Sequence, residues 1–196
     1  KAITVSGITA SGKVYDAKTN ATTDVTNATG WIAGDSFSVS ATGLFDTKNV
    51  GTNKTVTLTS SYSGDDKGNY TISDQATTTA NITAKPITIA GITASDKVYD
   101  AKTNATTDVT NATGWIAGDS FSVSATGLFD TKNVGTNKTV TLTSSYSGDD
   151  KGNYTISDQA TTTANITAKP ITIAGITASD KVYDAKTNAT TDVTNA

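Results

Sequence analysis

The stretch KTVTLTSSY, residues 54–62, alternates between apolar and hydroxylated side chains. Val56, Leu58 and Tyr62 fall on one face of an extended chain, and threonines fall on the other face. A period of two residues is typical of a β-strand with one buried face, because a helix would need a period near 3.6. The stretch therefore predicts a strand that covers a core with its apolar face and meets water with its threonines.

The same alternation continues outward from this strand. DSFSVSATG, residues 35–43, is a second clear strand candidate. Shorter candidates are Ile3–Ile8, Ala21–Val25, Asn69–Ser73 and Thr77–Thr83. Clusters of Gly, Asn and Asp separate them, and no segment has apolar residues at helical spacing. Short, evenly spaced strands with one apolar face predict an all-β fold, a two-sheet antiparallel sandwich.

The core of this sandwich is predicted from the apolar positions of the strands and their flanks. The predicted core residues are Ile3, Val5, Ile8, Val14, Tyr15, Val25, Trp31, Ile32, Phe37, Val39, Leu44, Phe45, Val50, Val56, Leu58, Tyr70, Ile72 and Ile82.

The chain repeats itself with a period of 84 residues. KVYDAKTNATTDV, residues 13–25, returns unchanged at residues 97–109 and 181–193. The segments 1–84 and 85–168 differ only at Ala2/Pro86, Val5/Ile89, Ser6/Ala90 and Gly12/Asp96. We predict β-sandwich repeats at 1–84 and 85–168, followed by the incomplete start of a third repeat at 169–196.

A second phase, with complete units at 29–112 and 113–196, is also arithmetically open. Pro86 and Pro170 favour the first phase, because proline is tolerated at the start of a strand far better than inside one. The linking stretch ANITAKPITIAG, residues 80–91, has no flexible Gly/Ser spacer. A direct passage from strand to strand predicts stiff units that are arranged end to end.

The residue inventory excludes several classes of function. The chain has no His, Cys, Glu or Arg, and its charge comes from 15 lysines and 18 aspartates. Without the usual general bases, soft nucleophiles and anion clamps, we predict no enzyme activity, no catalytic residue and no cofactor. The chain has no basic stripe for nucleic acid and no apolar run that would insert into a membrane. The load of Thr, Ser, Asn and Gly favours an extracellular location.

The candidate ligand sites are few. Trp31 and Trp115 are weak candidates for stacking on a sugar, because one tryptophan per unit is more often part of a core. The oxygen-rich turn with Asp65, Asp66 and Asn69 is a weak metal candidate, and a plain tight turn explains its composition equally well. The linker lacks acidic residues apart from Asp96, which argues against junctions that calcium stiffens.

Three further features invite chemistry. Tyr15 and Asp16 could form a binding dyad, although a buried tyrosine whose hydroxyl meets a backbone group is the commoner use. Lys13, Asn81 and Gln75 are the candidates for an internal amide or ester crosslink. Asn-x-Thr triplets begin at Asn20, Asn27, Asn53, Asn69 and Asn81 and would accept N-glycans in a cell with the transferase.

An ordered set of motifs resembles the YDG and related MBG repeats of large bacterial surface adhesins. In the second unit the motifs are KPITI at 85–89, KVYD at 97–100, GDSF at 118–121, FDTKNVGTNK at 129–138, GNY at 152–154 and ANIT at 164–167. The chain departs from the family at the eponymous Tyr-Asp-Gly, which is Tyr99-Asp100-Ala101 in the second unit and Tyr15-Asp16-Ala17 in the first. Since alanine disfavours positive φ, we expect an ordinary φ at both alanines.

The resemblance implies immunoglobulin-like repeats that form the stalk of a bacterial cell-surface adhesin, with roles in cell adhesion and biofilm. The expected partners are neighbouring repeats of the same chain and, through other domains, a glycan or a host or matrix surface. The alternative is a module that itself binds a glycan or matrix polymer through many weak sites.

Overall fold

The first unit consists almost entirely of β-strands in the computed structural model, which describes residues 1–195. Its strands are β1 Ala2–Thr4, β2 Thr9–Ala10, β3 Lys13–Val14, β4 Asn20–Ala21, β5 Thr23–Asp24, β6 Ser38–Phe45, β7 Gly51–Ser63, β8 Thr71–Ser73 and β9 Thr77–Thr83. A short 3-10 helix, Asp65–Asn69, lies between β7 and β8.

The second unit repeats this order. Its strands are β10 Lys85–Thr88, β11 Thr93–Ala94, β12 Lys97–Val98, β13 Asn104–Ala105, β14 Thr107–Asp108, β15 Ser122–Phe129, β16 Gly135–Ser147, β17 Tyr154–Ser157 and β18 Thr161–Thr167. The 3-10 helix here spans Lys151–Asn153. Two short strands follow, β19 Thr177–Ala178 and β20 Thr191–Asp192. The all-β prediction is confirmed, with two similar repeated β-sheet units.

A five-stranded sheet in the order β3-β9-β7-β6-β4 organises the first unit. The hairpin of β6 and β7 is its longest pairing, and it sets Phe45 opposite Val56. The prediction of purely antiparallel pairing is wrong at two places, because β1 pairs with β8 and β3 pairs with β9 in parallel. The pattern of alternating residues predicts strands but carries no information about which distant strands pair. The second unit has the same order and the same parallel pairs.

The core forms where alternating side chains of these strands meet. Half of the predicted set is buried: Ile3, Val5, Ile8, Tyr15, Phe37, Phe45, Val56, Leu58 and Ile82. Val25, Trp31, Val39, Tyr70 and Ile72 are partly buried against it. The prediction is wrong for Val14, Ile32, Leu44 and Val50, which are exposed. Leu44 precedes buried Phe45 on the same strand, so it must point to the opposite face.

One of the four differences between the units changes the hydrogen bonding. Asp96 accepts hydrogen bonds from the backbone N and side-chain Nδ2 of Asn165, at 2.6 and 2.9 Å. The first unit has Gly12 at this position and a surface cleft there, lined by Lys13, Val14, Asn81 and Thr83 beside the glycine. The second unit is therefore tied more firmly at this edge than the first.

Residues 169–195 lie outside the two cores. The side chains of Ile171, Ile173 and Ile176 are 80%, 67% and 54% exposed, whereas their equivalents Ile87, Ile89 and Ile92 are buried. The described hydrogen bonds of this segment stay within it, as in the pairing of β19 with β20. The first third of a unit thus buries its apolar residues only against the remaining two thirds. Within residues 1–195, no helix has the length and apolar character needed to cross a membrane.

Candidate functional site: the junction between units

The two units meet at a polar junction. Only Ala84 separates β9 of the first unit from β10 of the second. The first unit contributes what we call the lysine half of the junction: Tyr15, Lys48, Asn49 and Val50. The second unit contributes the aspartate half: Asp119, Asp150, Asn153 and Tyr154. All direct polar contacts described between the units join these two sets.

Lys48 is the charged centre of the junction. Its Nζ lies 2.8 Å from Asp119 Oδ1 and 2.9 Å from Asp150 Oδ1. The side chains of the two aspartates are only 2% and 10% exposed, whereas that of Lys48 is 33% exposed. A buried carboxylate needs a partner to remain charged, and one ammonium group here serves two of them. The charge of the first unit therefore neutralises carboxylates that the second unit cannot neutralise alone.

Tyr15 gives the junction its apolar contact and a further hydrogen bond. The side chain is 1% exposed, and its hydroxyl donates to Asp119 Oδ2 at 2.8 Å. Its ring meets the ring of Tyr154 edge to face, with centroids 5.4 Å apart. This geometry is favourable for aromatic pairs. The expected backbone partner of the Tyr15 hydroxyl is therefore wrong, since the hydroxyl binds a carboxylate of the neighbouring unit.

Asn153 connects the two halves a third time. Its Oδ1 accepts a hydrogen bond from the backbone N of Val50 at 2.9 Å, and its Nδ2 donates to Asn49 Oδ1 at 3.1 Å. Asn153 is 4% exposed, so these bonds are protected from water. Because a side-chain amide that uses both of its ends demands a fixed geometry, the contact sets the orientation of the units as well as their distance.

The pKa values of the two aspartates of the junction are lowered, whereas those of Lys48 and Tyr15 are raised. Burial acts to raise the pKa of Asp119, but hydrogen bonds from Lys48, Tyr154 and Tyr15 outweigh it, and the pKa is lowered. The pKa of Asp150 is lowered in the same way, with burial outweighed chiefly by Lys48. Hydrogen bonds to Asp119 and then Asp150 raise the pKa of Lys48. Burial, followed by the hydrogen bond to Asp119, raises the pKa of Tyr15 to about 12. The charged pairs and the neutral tyrosine are thus the stable forms at neutral pH.

Local sequence positions the lysine half. Lys48 and its neighbours lie in the loop between β6 and β7. Asp46 fixes this loop, because its carboxylate accepts a hydrogen bond from Thr47 N at 2.8 Å and forms an ion pair with Lys54 Nζ at 2.7 Å. Tyr15 follows β3 and opens the Tyr-Asp-Ala turn, in which Ala17 has φ 63°. The expectation of an ordinary φ is therefore wrong, and Ala101 shows the same conformation with φ 64°. Only glycine adopts this region without strain, which explains the physical value of the glycine in Tyr-Asp-Gly.

The aspartate half is positioned by a close approach of two loops. Gly148 has φ 109°, and a Cβ at this position would lie 2.2 Å from the carbonyl oxygen of Ser120. The approach lets Asp150 Oδ2 accept a hydrogen bond from Ser120 N at 2.9 Å. Asp119 in turn accepts a hydrogen bond from the Tyr154 hydroxyl. Each carboxylate is therefore held by its own unit and presents its other oxygen to Lys48.

The tryptophans lie away from the junction contacts. Trp31 is partly buried and stacks on Phe37, with ring centroids 4.9 Å apart. Trp115 stacks on Phe121 in the same way. One face of each indole is therefore already covered by an aromatic ring of its own unit.

The described contacts of the oxygen-rich turn in the first unit lie within that unit, whereas the equivalent turn of the second unit belongs to the junction. Asp66 accepts hydrogen bonds from Ser36 N at 2.9 Å and from Asn69 Nδ2 at 3.1 Å, while Asp65 lies on the exposed side of the turn. The corresponding turn of the second unit supplies Asp150 and Asn153. In residues 1–195, no cluster of three or more acidic or other metal-binding side chains is found.

The remaining candidates have local partners. Asp16 pairs with Lys13 at 2.7 Å and does not join Tyr15 in a dyad. Gln75 accepts a hydrogen bond from Ile8 N at 2.9 Å and donates to Ile8 O at 2.7 Å and Thr77 O at 3.1 Å. This amide therefore bridges two loops through hydrogen bonds. Asn81 accepts a hydrogen bond from Asn53 N at 2.7 Å.

Sequence reasoning missed Lys48, Asn49, Asp119 and Asp150 as functional residues. The linker stretch itself has no carboxylate, and the two carboxylates of the junction come from other parts of the second unit. These carboxylates are 35 and 66 residues beyond Ala84 in sequence, and only the fold brings them to the linker. A signal was nevertheless present in the motifs. KVYD supplies the tyrosine of the lysine half, FDTKNVGTNK supplies the remainder of that half, and GDSF and GNY supply all of the aspartate half except Asp150.

These features define a class of protein: a tandem array of all-β units joined head to tail by a buried, ion-paired junction. The family model described as YDG domain matches residues 1–80 and again residues 83–164. The chain therefore belongs to the YDG domain family, as a tandem repeat. No curated protein and no solved structure matches it significantly.

Proposed function

We propose that each unit is a structural spacer of a bacterial cell-surface adhesin, an immunoglobulin-like sandwich that holds an adhesive tip away from the cell. The observation that carries this proposal is the junction, where Lys48 of one unit neutralises two carboxylates of the next. Relative motion is the default for units that share a small polar interface. Here the one-residue connection through Ala84 and the hydrogen bonds of Asn153 act together to restrict it. A spacer needs such restriction, because a flexible string gains reach only slowly as units are added.

The motif positions support the same proposal. Four of the motifs that identify the family place residues in the junction, namely KVYD, FDTKNVGTNK, GDSF and GNY. The chemistry that the family motifs share in this chain is therefore contact between units. An extracellular location fits a module whose exposed strand faces are rich in Thr and Ser.

The parallel strand pairs support a role under tension. Within the first unit β3 and β9 run in the same direction side by side, and Tyr15 N extends the pairing with a hydrogen bond to Thr83 O at 2.9 Å. Tension along the array pulls β3 toward its N-terminal end and β9 toward its C-terminal end. The hydrogen bonds between them are then loaded together in shear, whereas a pair pulled apart from one end would open one bond at a time.

The alternative function, avidity for a glycan or matrix polymer, would use Trp31 and Trp115 as stacking platforms. Phe37 and Phe121 already cover one face of each indole, which leaves a single face and edge for a sugar. The junction, in contrast, gives a reason for repeating the unit that requires no ligand, because its contacts form between neighbouring units. We therefore favour the spacer.

Small-angle X-ray scattering on chains with one, two and four complete units tests the spacer. Strands of seven to nine residues span about 25–30 Å, so the maximum dimension should rise by a constant few tens of ångströms per unit. The matched control replaces the junction lysine by methionine at every junction. In this control, the maximum dimension should no longer rise by a constant amount per unit, although each unit stays folded. Growth as a flexible string, or units that fold back on each other, would refute the spacer.

A further inference from the structure

The second unit shows how a carboxylate binds at the edge of the five-stranded sheet. Asp96 Oδ1 accepts a hydrogen bond from the backbone N of Asn165 at 2.6 Å, and Asp96 Oδ2 accepts one from Asn165 Nδ2 at 2.9 Å. A single asparagine therefore holds both oxygens of one carboxylate. Two bonds to one planar group fix its orientation as well as its place, and bonds to a charged acceptor are stronger than bonds between neutral groups.

The first unit keeps the asparagine and lacks the carboxylate. Asn81 is the equivalent of Asn165, and Gly12 replaces Asp96. Across residues 1–195, no side chain accepts a hydrogen bond from Asn81 N or from Asn81 Nδ2. A cleft of about 350 Å³ opens at this place. The residues that line it are Gly12, Lys13, Val14, Asn81 and Thr83. The cleft thus results from a substitution inside the unit.

The fold fixes the Asn81 amide in the orientation that a carboxylate needs. Asn81 Oδ1 accepts a hydrogen bond from the backbone N of Asn53 at 2.7 Å. In the second unit, Asn165 Oδ1 accepts the equivalent bond from Asn137 N at 2.8 Å. Because the oxygen end of the amide is held in both units, Nδ2 has the same direction in both. Binding therefore requires little reorganisation of the site.

The space beside Gly12 accepts the carbon that carries the carboxylate. A Cβ on Gly12 would have its closest contact, 3.1 Å, with the carbonyl oxygen of Asn81. A free ligand can move away from this oxygen, since no bond to the chain holds it. Acetate has the composition of an aspartate side chain, so acetate in the cleft replaces the group that Gly12 lacks. The volume of the cleft is at the lower end of the range for small-molecule sites, which leaves room for a larger acid.

The charge around the cleft suits an anion. Of the five residues that line it, Lys13 alone is charged. Its Nζ is paired with Asp16 at 2.7 Å, so the amide donors of Asn81 carry most of the recognition. Asn81 is exposed, and two hydrogen bonds at an exposed site predict weak binding, with a Kd on the order of 10 mM.

We propose that the cleft beside Gly12 binds the carboxylate of a small molecule, either a short aliphatic acid or the acid group of a sugar. Asn81 N donates to one oxygen and Asn81 Nδ2 to the other, as Asn165 does for Asp96. A unit with aspartate at this position supplies its own carboxylate and has no site. The inference goes beyond the spacer function and does not depend on it, because the polar contacts between the units use other residues.

NMR of the 15N-labelled chain during titration with sodium acetate at pH 7 tests this inference. The backbone and side-chain amide signals of Asn81 should shift and saturate with a Kd on the order of 10 mM. The signals of Asn165 should stay in place, since Asp96 occupies its donors. Sodium chloride at the same concentrations controls for ionic strength and should leave both residues unchanged.

Two exchanges of residues between the units provide matched variants. Gly12→Asp gives the first unit the residue of the second, so the acetate-dependent shift of Asn81 should disappear. Asp96→Gly gives the second unit the residue of the first, so Asn165 should acquire the shift with a similar Kd. Each variant carries a residue that already occurs at the equivalent position, so both chains should stay folded. Since each change affects one site, the two spectra also assign the two asparagines.

Titration with glucuronate identifies the source of the carboxylate. A shift with both acids assigns the site to aliphatic and sugar acids alike, and a shift with acetate alone assigns it to short aliphatic acids. The inference is overturned if acetate gives no saturable shift of Asn81 up to about 200 mM, or if chloride gives the same shift. It is also overturned if the Gly12→Asp chain still responds, or if Asn165 of the Asp96→Gly chain does not.

Discussion

Replacing Lys48 by methionine should weaken the junction while leaving each unit intact. Methionine keeps the apolar stem and removes only the ammonium group, so the main loss is the ion pairs to Asp119 and Asp150. Removing one partner of a fully buried ion pair costs about 3–5 kcal/mol. Since Lys48 is one third exposed, water can reach the stranded carboxylates, and we expect a loss of about 2 kcal/mol.

The repeat offers a matched control for this substitution. Lys132→Met makes the same change in the same loop, but Lys132 has no aspartate half beside it in residues 1–195. Its effect should be within about 0.5 kcal/mol of zero at protein concentrations where the chain is monomeric. The difference between the two variants therefore isolates the junction from any effect on the loop.

Urea unfolding followed by circular dichroism measures the difference. The first unit to unfold loses the junction with it, so Lys48→Met should move the earliest transition to lower urea by about 1 M, given a slope of about 2 kcal/mol per M. The Lys132→Met transition should coincide with that of the unsubstituted chain. If both variants unfold at the same urea concentration, the ion pairs contribute nothing and the electrostatic account of the junction is wrong.

Four other perturbations test separate parts of the structure. The contribution of the Lys48–Asp119 ion pair to the free energy of unfolding should be complete between about pH 5 and 9. It should fall below about pH 4, where the lowered pKa of the carboxylate is passed, and above about pH 10, where the raised pKa of the lysine is approached. Unfolding of the unsubstituted and Lys48→Met chains as a function of pH will show both limits. Ala17→Gly should stabilise the first unit by about 0.5–1 kcal/mol, because relief of left-handed strain exceeds the added chain entropy, and an unchanged melting temperature would contradict this. Gly12→Asp should stabilise the same unit by about 1 kcal/mol, because the new carboxylate can accept the two hydrogen bonds that Asp96 accepts in the second unit. Slower hydrogen exchange of the backbone amide of Asn81, the equivalent of Asn165, measures this effect. Gln75→Ala should cost about 2–3 kcal/mol, since three backbone groups lose their partners. A loss below about 0.5 kcal/mol in thermal unfolding would show that water replaces the amide.

Much of the strand content followed from local pattern alone. Val56 and Leu58 are buried and Thr55 and Thr57 are exposed, as period-two alternation requires. The pattern failed where strands are only two residues long, as at Lys13–Val14, because such segments contain no complete period. It also failed for Val50, whose apolar side chain belongs to the partly exposed junction surface and not to a core.

The alternation of residues along the strands could not predict the junction between the units. In the sequence, Asp65, Asp66 and Asn69 form an unusual concentration of oxygen atoms, which a metal site or a plain tight turn explains. Their equivalents Asp150 and Asn153 meet groups that are 102 and 103 residues away in sequence, Lys48 and Val50. A contact of such separation depends on how one whole unit is oriented against the next.

The sequence by itself determined the repeat, the period of 84 residues and the all-β character, because identity between segments and alternation along a strand are local properties. It also determined that charged contacts within these 196 residues must be built from Lys and Asp, since His, Arg and Glu do not occur among them. Only the tertiary structure decided that Lys48, Asp119 and Asp150 form one charged cluster. The left-handed conformation of Ala17 is local instead, because Ala185 adopts it outside the two cores with the same hydrogen bonds to the preceding aspartate. The charged cluster depends on how one whole unit is oriented against the next, because Lys48 comes from a loop of the first unit and both carboxylates come from the second.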